Sequence, residues 1–163
     1  MAAATTTGLK RWAPPEFARL LQQLVLLLLI SAAGVGCQVK FVSDYDETTD
    51  KMATDLQKRI DDQFAAWLRL PPGSPALQYT ANTAFYASVD GDLRALKARA
   101  LAHPLNKDTV AIIDSIIQSM GSVEKLHKSV GTISQAALGS VEDQLDFQFQ
   151  QLIQLEMAKK RSG

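Results

Sequence analysis

The sequence predicts an all-α protein: an up-down-up-down antiparallel four-helix bundle that follows a cleaved N-terminal signal segment. Three observations predict it. Apolar residues recur at three- and four-residue spacing in four successive stretches beyond Ser43, the period of a helix with one buried face. Glycine, proline and capping residues separate the stretches by short connections, which make consecutive helices antiparallel neighbours. Strand signals are nearly missing, with no alternating runs and no Asn-Gly or Asp-Gly turn between apolar segments.

Residues 1–36 read as a signal peptide. Lys10, Arg11 and Arg19 make a positive leading region, Leu24 to Ile30 an apolar stretch, and Ser31 to Gly36 a run of small residues. From Leu24 to Val35 the apolar stretch is about 12 residues, shorter than the ~20 that a spanning helix needs. The next residue is the single cysteine of the chain, Cys37. A lone cysteine forms no internal disulfide and no multi-cysteine metal cage. Together, Val35, Gly36 and Cys37 resemble the lipobox of bacterial lipoproteins, although Gly34 stands where that pattern prefers an aliphatic residue. The resemblance implies cleavage between Gly36 and Cys37, lipidation of the Cys37 sulfur, and residues 37–42 as a lipidated tether. Gln38, which is not Asp, implies sorting to the outer membrane, facing the periplasm. Two or three acyl chains hold a protein stably at a bilayer.

The helical domain is expected over residues 43–163. Ser43 with Asp46 three positions on fits a capping box, and Asp44, Asp46 and Glu47 suit the positive end of a helix dipole. Met52, Leu56, Ile60, Phe64 and Leu68 form the first stripe, with Trp67 alongside, and Pro71-Pro72-Gly73 stops it. Ser74-Pro75 predicts the next start, as cap and first helical residue. Phe85, Val89, Leu93, Leu96 and Ala100 follow, widened by Tyr86 and Leu101, with a kink expected near Gly91. His103-Pro104 closes that helix, and Asn106 or Asp108 caps a third. Its stripe is Ile112, Ile113, Ile116, Met120, Val123 and Leu126. Gly131 breaks the pattern, and Thr132 or Ser134 caps a fourth helix carrying Leu138, Val141, Leu145, Phe149, Leu152 and Leu155. Lys159, Lys160 and Arg161 complement its negative end. Phe147 and Ile153 lie off this stripe, which predicts a centrally buried helix in preference to a partner surface.

The composition narrows the chemistry. Beyond Cys37 the chain has 14 basic and 16 acidic residues, a net charge of −2, so no basic excess marks a nucleic-acid partner. Asp44, Asp46, Glu47 and Asp50 cluster, but without the spacing of a calcium loop; their place at a helix start explains them, and no metal site is expected. His103 and His127 are read as satisfied boundary histidines, not haem ligands, so no cofactor is expected. Nucleophile-elbow, zinc-protease, phosphate-loop and dinucleotide signatures are missing, and no catalytic residues are assigned. Trp67, Phe85, Tyr86, Phe147 and Phe149 suit a core or the lining of an apolar ligand cavity.

The stretch Phe41 to Lys51, FVSDYDETTDK, and the closing Leu155 to Arg161, LEMAKKR, resemble those of a group of small uncharacterised Proteobacterial lipoproteins. That resemblance implies an envelope location and brings no activity with it. The expectation is therefore a non-catalytic interaction or scaffold protein, held by its lipid anchor and partnered by an envelope protein. A binding module for a small apolar ligand inside the bundle is the alternative.

Overall fold

The computed structural model describes residue 16, residues 19–24 and residues 43–162. The chain divides into two compact units, Met1–Val39 and Lys40–Gly163. In the first, residues 19–24 are helical and expose Leu20, Leu21 and Leu24. The second holds four long helices: α1 (Glu47–Leu68), α2 (Tyr79–Ala102), α3 (Lys107–Val130) and α4 (Gln135–Ser162). A single 3₁₀ turn, Pro75–Leu77, precedes α2. Among the described residues no helix is long and apolar enough to cross a membrane.

Each helix packs on the next, and α1 packs on α4, closing a ring. Contacts at the two ends show the alternating directions. At one end Ser43, before α1, and Lys159, late in α4, both bond Asn106 at the start of α3. At the other, Gln135 at the start of α4 reaches the Leu68 and Leu70 carbonyls at the end of α1. Tyr86 in α2 meets His127 in α3 at that same end. The protein is thus an all-α, up-down-up-down antiparallel bundle, with a proximal end at Ser43 and a distal end at Trp67.

Burial follows one seam per helix. Leu56, Ile60, Phe64 and Trp67 face Val89, Leu93, Leu96 and Ala100, then Ile113, Ile116, Met120 and Val123, then Leu138, Leu145, Phe149 and Leu152. Each fully buried large side chain favours the folded state by about 1.5–3 kcal/mol before conformational entropy is subtracted.

Several boundaries differ from those expected. Asp46, not Ser43, caps α1, its carboxylate accepting from the amides of Thr48 and Thr49. Ser74-Pro75 opens only the 3₁₀ turn, and α2 starts at Tyr79 without a side-chain cap. The delay has a cause: the loop is spent on main-chain bonds to the α3–α4 connection, Tyr79 N–H to Gly131 O at 3.0 Å and Ile133 N–H to Leu77 O at 3.2 Å. α2 runs through Gly91 as one element. Gly131 ends α3 with φ 79°, a left-handed conformation that suits glycine. Ser134 accepts from the Ala137 amide, as a cap to α4. Leu101, Leu126 and Phe147 are exposed, against expectation; Phe147 in particular shows that α4 is not apolar on two buried sides.

Candidate functional site

The densest polar assembly lies at the proximal end, and hydrophobic patterning did not foresee it. The Lys159 ammonium donates to Glu156 Oε1 at 2.5 Å, Asn106 Oδ1 at 2.6 Å and Thr109 Oγ1 at 2.6 Å. Thr109 donates in turn to Glu156 Oε1 at 2.9 Å, and Ser43 to Asn106 Oδ1 at 2.8 Å. Asn106 Nδ2 satisfies the Ala100 carbonyl at the end of α2. Lys159 is 4 % exposed and Glu156 1 %, so the pair is charge-compensated inside the fold instead of being solvated. Glu156 Oε2 is buried without a hydrogen-bond partner. Lys159 therefore does not merely neutralise the end of α4; it ties α4 to the start of α3, where Asn106 extends the network to the end of α2 and to the segment before α1.

A second cluster surrounds Asp46. Arg99 Nε and a terminal guanidinium nitrogen reach its two carboxylate oxygens at 2.5 and 2.7 Å, Thr49 donates at 2.5 Å, and His103 Nε2 lies 3.4 Å away. The Arg99 guanidinium, with Thr49 and the Thr48 amide assisting, holds the Asp46 carboxyl well below the usual carboxylate range. Beside it, the Tyr45 hydroxyl donates to Asp50 Oδ2 at 2.8 Å, and that bond pushes the phenol up to about 12. Lys160 stands 5.0 Å from the Tyr45 ring centre. The acids singled out in the sequence thus cap a helix and pair with Arg99 and Tyr45. Among the described residues no group of three or more acids, histidines or cysteines is disposed to hold a metal ion.

Midway along the α1–α4 face, burial pushes Asp61 up to about 6, helped by the charge of Asp146 and a hydrogen bond to it. Gln57 donates to the same Asp146 at 3.1 Å. Between 3.8 and about 6 the folded chain binds this proton more tightly than the unfolded chain, so stability falls as pH rises through that window. Asp46 acts oppositely: its contribution is complete above 3.8 and is lost on further acidification. Asp61→Asn is expected to raise stability at neutral pH by about 1 kcal/mol, after screening by solvent at this half-buried position, and to remove the decline. Urea unfolding at about pH 4.5 and about pH 7.5 checks it; an unchanged difference between the two would refute the assignment.

At the distal end His127 is 1 % exposed. Its Nε2 lies 2.8 Å from the Leu77 carbonyl, which can only accept, so Nε2 carries the hydrogen and Nδ1 accepts from the Tyr86 hydroxyl at 2.9 Å. The imidazole is fully committed to the fold, packed edge-on to Trp67 and Tyr79. Outside the core, an open groove of about 420 Å³ runs between α3 and α4. Ser115, Ser119, Gln144 and Gln148 line it beside Leu126 and Val141, and no charged side chain contributes. Gln148 donates to Ser115 at 2.6 Å, while its amide oxygen is buried without a partner.

Gly36 and Cys37, the residues assigned to cleavage and lipidation, and the tether 37–42 lie outside the described residues. Sequence reasoning gives Ser43, Asn106 and Lys159 only capping and helix-end roles and passes over Thr109 and Glu156. One signal for them was legible: Leu145, Phe149, Leu152, Glu156 and Lys159 continue a single four-three-four-three spacing, which carries the last two onto the core seam. Comparison of the chain with family models, with curated proteins and with solved structures yields no match.

Proposed function

We propose that the chain is a lipid-anchored bacterial envelope protein, joined to the membrane through Cys37, facing the periplasm, and acting as a non-catalytic scaffold or interaction subunit. The observation that carries this reading is the fastening of the segment after the tether. Ser43 is buried and bonded to Asn106, and Asp46 is gripped by Arg99. Five residues lie between Cys37 and Ser43, six steps along the chain and a reach of at most about 20 Å. An anchor on Cys37 would therefore hold a rigid bundle close to the bilayer instead of on a long leash.

The side chains that could perform chemistry support a binding role over a catalytic one. His127, Asp46 and Lys159 are consumed by structural bonds. The uncharged α3–α4 groove offers hydroxyls and amides to an envelope protein. A small apolar ligand inside the bundle has less support, because the central side chains already pack on one another.

Cys37→Ala is the decisive variant. In cells fed labelled palmitate, the wild-type chain is expected to incorporate label and to fractionate with the outer membrane. The variant is expected to remain an unlabelled, uncleaved precursor. Label retained by the variant would refute lipidation at Cys37, and an unlabelled wild-type chain would refute the anchor altogether.

A further inference from the structure

The connection between α2 and α3, residues 103–106, has an unusual conformation. Leu105 adopts φ 61°, and among the described residues no other non-glycine has a positive φ. The left-handed region is uncommon for a bulky side chain and is held only where the surroundings enforce it. Here the enforcement is visible: Asn106, the next residue, is locked by bonds to Ala100, Ser43 and Lys159. The strain is not offset by burial, since Leu105 is 55 % exposed. Leu101, four positions earlier at the end of α2, is 61 % exposed.

A scattered exposed leucine needs no explanation. Two of them, one in the last turn of α2 and one on the connection that follows it in a strained backbone, at the end of the bundle where the chain arrives from Cys37, form a pattern. We propose that this connection is a membrane-contacting surface, with Leu101 and Leu105 seated among the acyl chains of the bilayer that holds the anchor. The inference rests on the anchored reading given above, and it names the surface that faces the lipid.

The short tether favours a bilayer as occupant. Two leucines alone would bind a membrane weakly, but the short link holds Ser43 within about 20 Å of it, and Ser43 bonds Asn106, the residue after Leu105, so the effective concentration of the leucines at the surface is high. Charge plays a minor part. Lys107, Lys160 and Arg161 are exposed at this end, and the exposed acids Asp44, Glu47 and Asp108 offset them. The contact is therefore apolar and insensitive to salt, unlike a polybasic patch.

The full lipidated chain in vesicles of phosphatidylethanolamine and phosphatidylglycerol provides the test. Leu101→Cys and Leu105→Cys are labelled singly with an environment-sensitive fluorophore, and Arg69→Cys, exposed at the distal end, is labelled as the reference. Flotation first establishes whether the chain is anchored. Blue-shifted emission at 101 and 105, with quenching by spin-labelled lipid at least about threefold that at 69 and unchanged in high salt, is the expected result. Flotation with water-like emission at all three positions would overturn the contact and leave the anchor standing. A chain that does not float would overturn both. A shift without lipid quenching would place the tether over the leucines, and one that grows with protein concentration would place a second copy there; either outcome overturns the proposal.

Discussion

Replacing Lys159 with methionine is expected to lower the stability of the bundle by about 3–5 kcal/mol, the cost of leaving a buried carboxylate without its counter-charge. Glu156 has 1 % of its surface exposed, and one of its oxygens already lacks a hydrogen-bond partner. Without the ammonium, its other oxygen keeps only the Thr109 hydroxyl, and Asn106 keeps only Ser43 at Oδ1. The double variant Lys159→Met with Glu156→Leu separates two accounts of this loss. If an orphaned charge is the cause, removing the carboxylate as well restores most of the stability, because an apolar replacement of a whole buried pair is commonly neutral or better. If lost packing is the cause, the double variant is worse than either single one. Urea midpoints with unchanged slope, followed by far-ultraviolet circular dichroism, distinguish them.

Trp67→Ala is expected to cost a similar amount, about 3–5 kcal/mol, for a different reason. The indole stacks on Phe64 at 5.4 Å, meets Phe85 edge-on at 5.4 Å and His127 edge-on at 5.8 Å. Its N–H donates to Asn82 Oδ1 at 3.1 Å, and Asn82 in turn serves the carbonyls of Ala76 and Gln78. Truncation opens a cavity and strands a buried amide together. Trp67→Phe keeps most of the ring contacts and loses the hydrogen bond, so a cost of about 1–3 kcal/mol is expected. Equal losses in the two variants would show that the bond, not the ring packing, dominates.

The helices were legible because their apolar spacing is regular and their breaks carry proline or glycine. Pro71-Pro72-Gly73 and Gly131 both stand where the chain turns. Which residues face inward was less legible, and the errors share a cause. Apolarity puts Leu126 on the seam of α3 and leaves His127 at its boundary; the structure exchanges them, burying His127 and exposing Leu126. At the end of α1, Trp67 is fully buried while Leu68 is only partly so. Spacing outweighed polarity: Thr109, Ile113, Ile116, Met120, Val123 and His127 keep an unbroken four-three rhythm that a search for apolar residues alone interrupts. The proximal site was illegible for a related reason. Its members come from residues 43, 106, 109, 156 and 159, and only folding brings them together.

These polar layers have a consequence for the alignment of the helices. A seam that repeats every seven residues looks alike after a slide of seven, so a purely apolar bundle has several nearly equivalent registers. Here a slide of α4 along α3 by one repeat would carry Lys159 from Thr109 to the level of Ile116, burying an ammonium among aliphatic side chains. The matching slide of α3 along α2 would part His127 from Tyr86 and from the Leu77 carbonyl. With one polar layer at each end, only one register satisfies both, and the apolar middle is free to supply stability without having to choose.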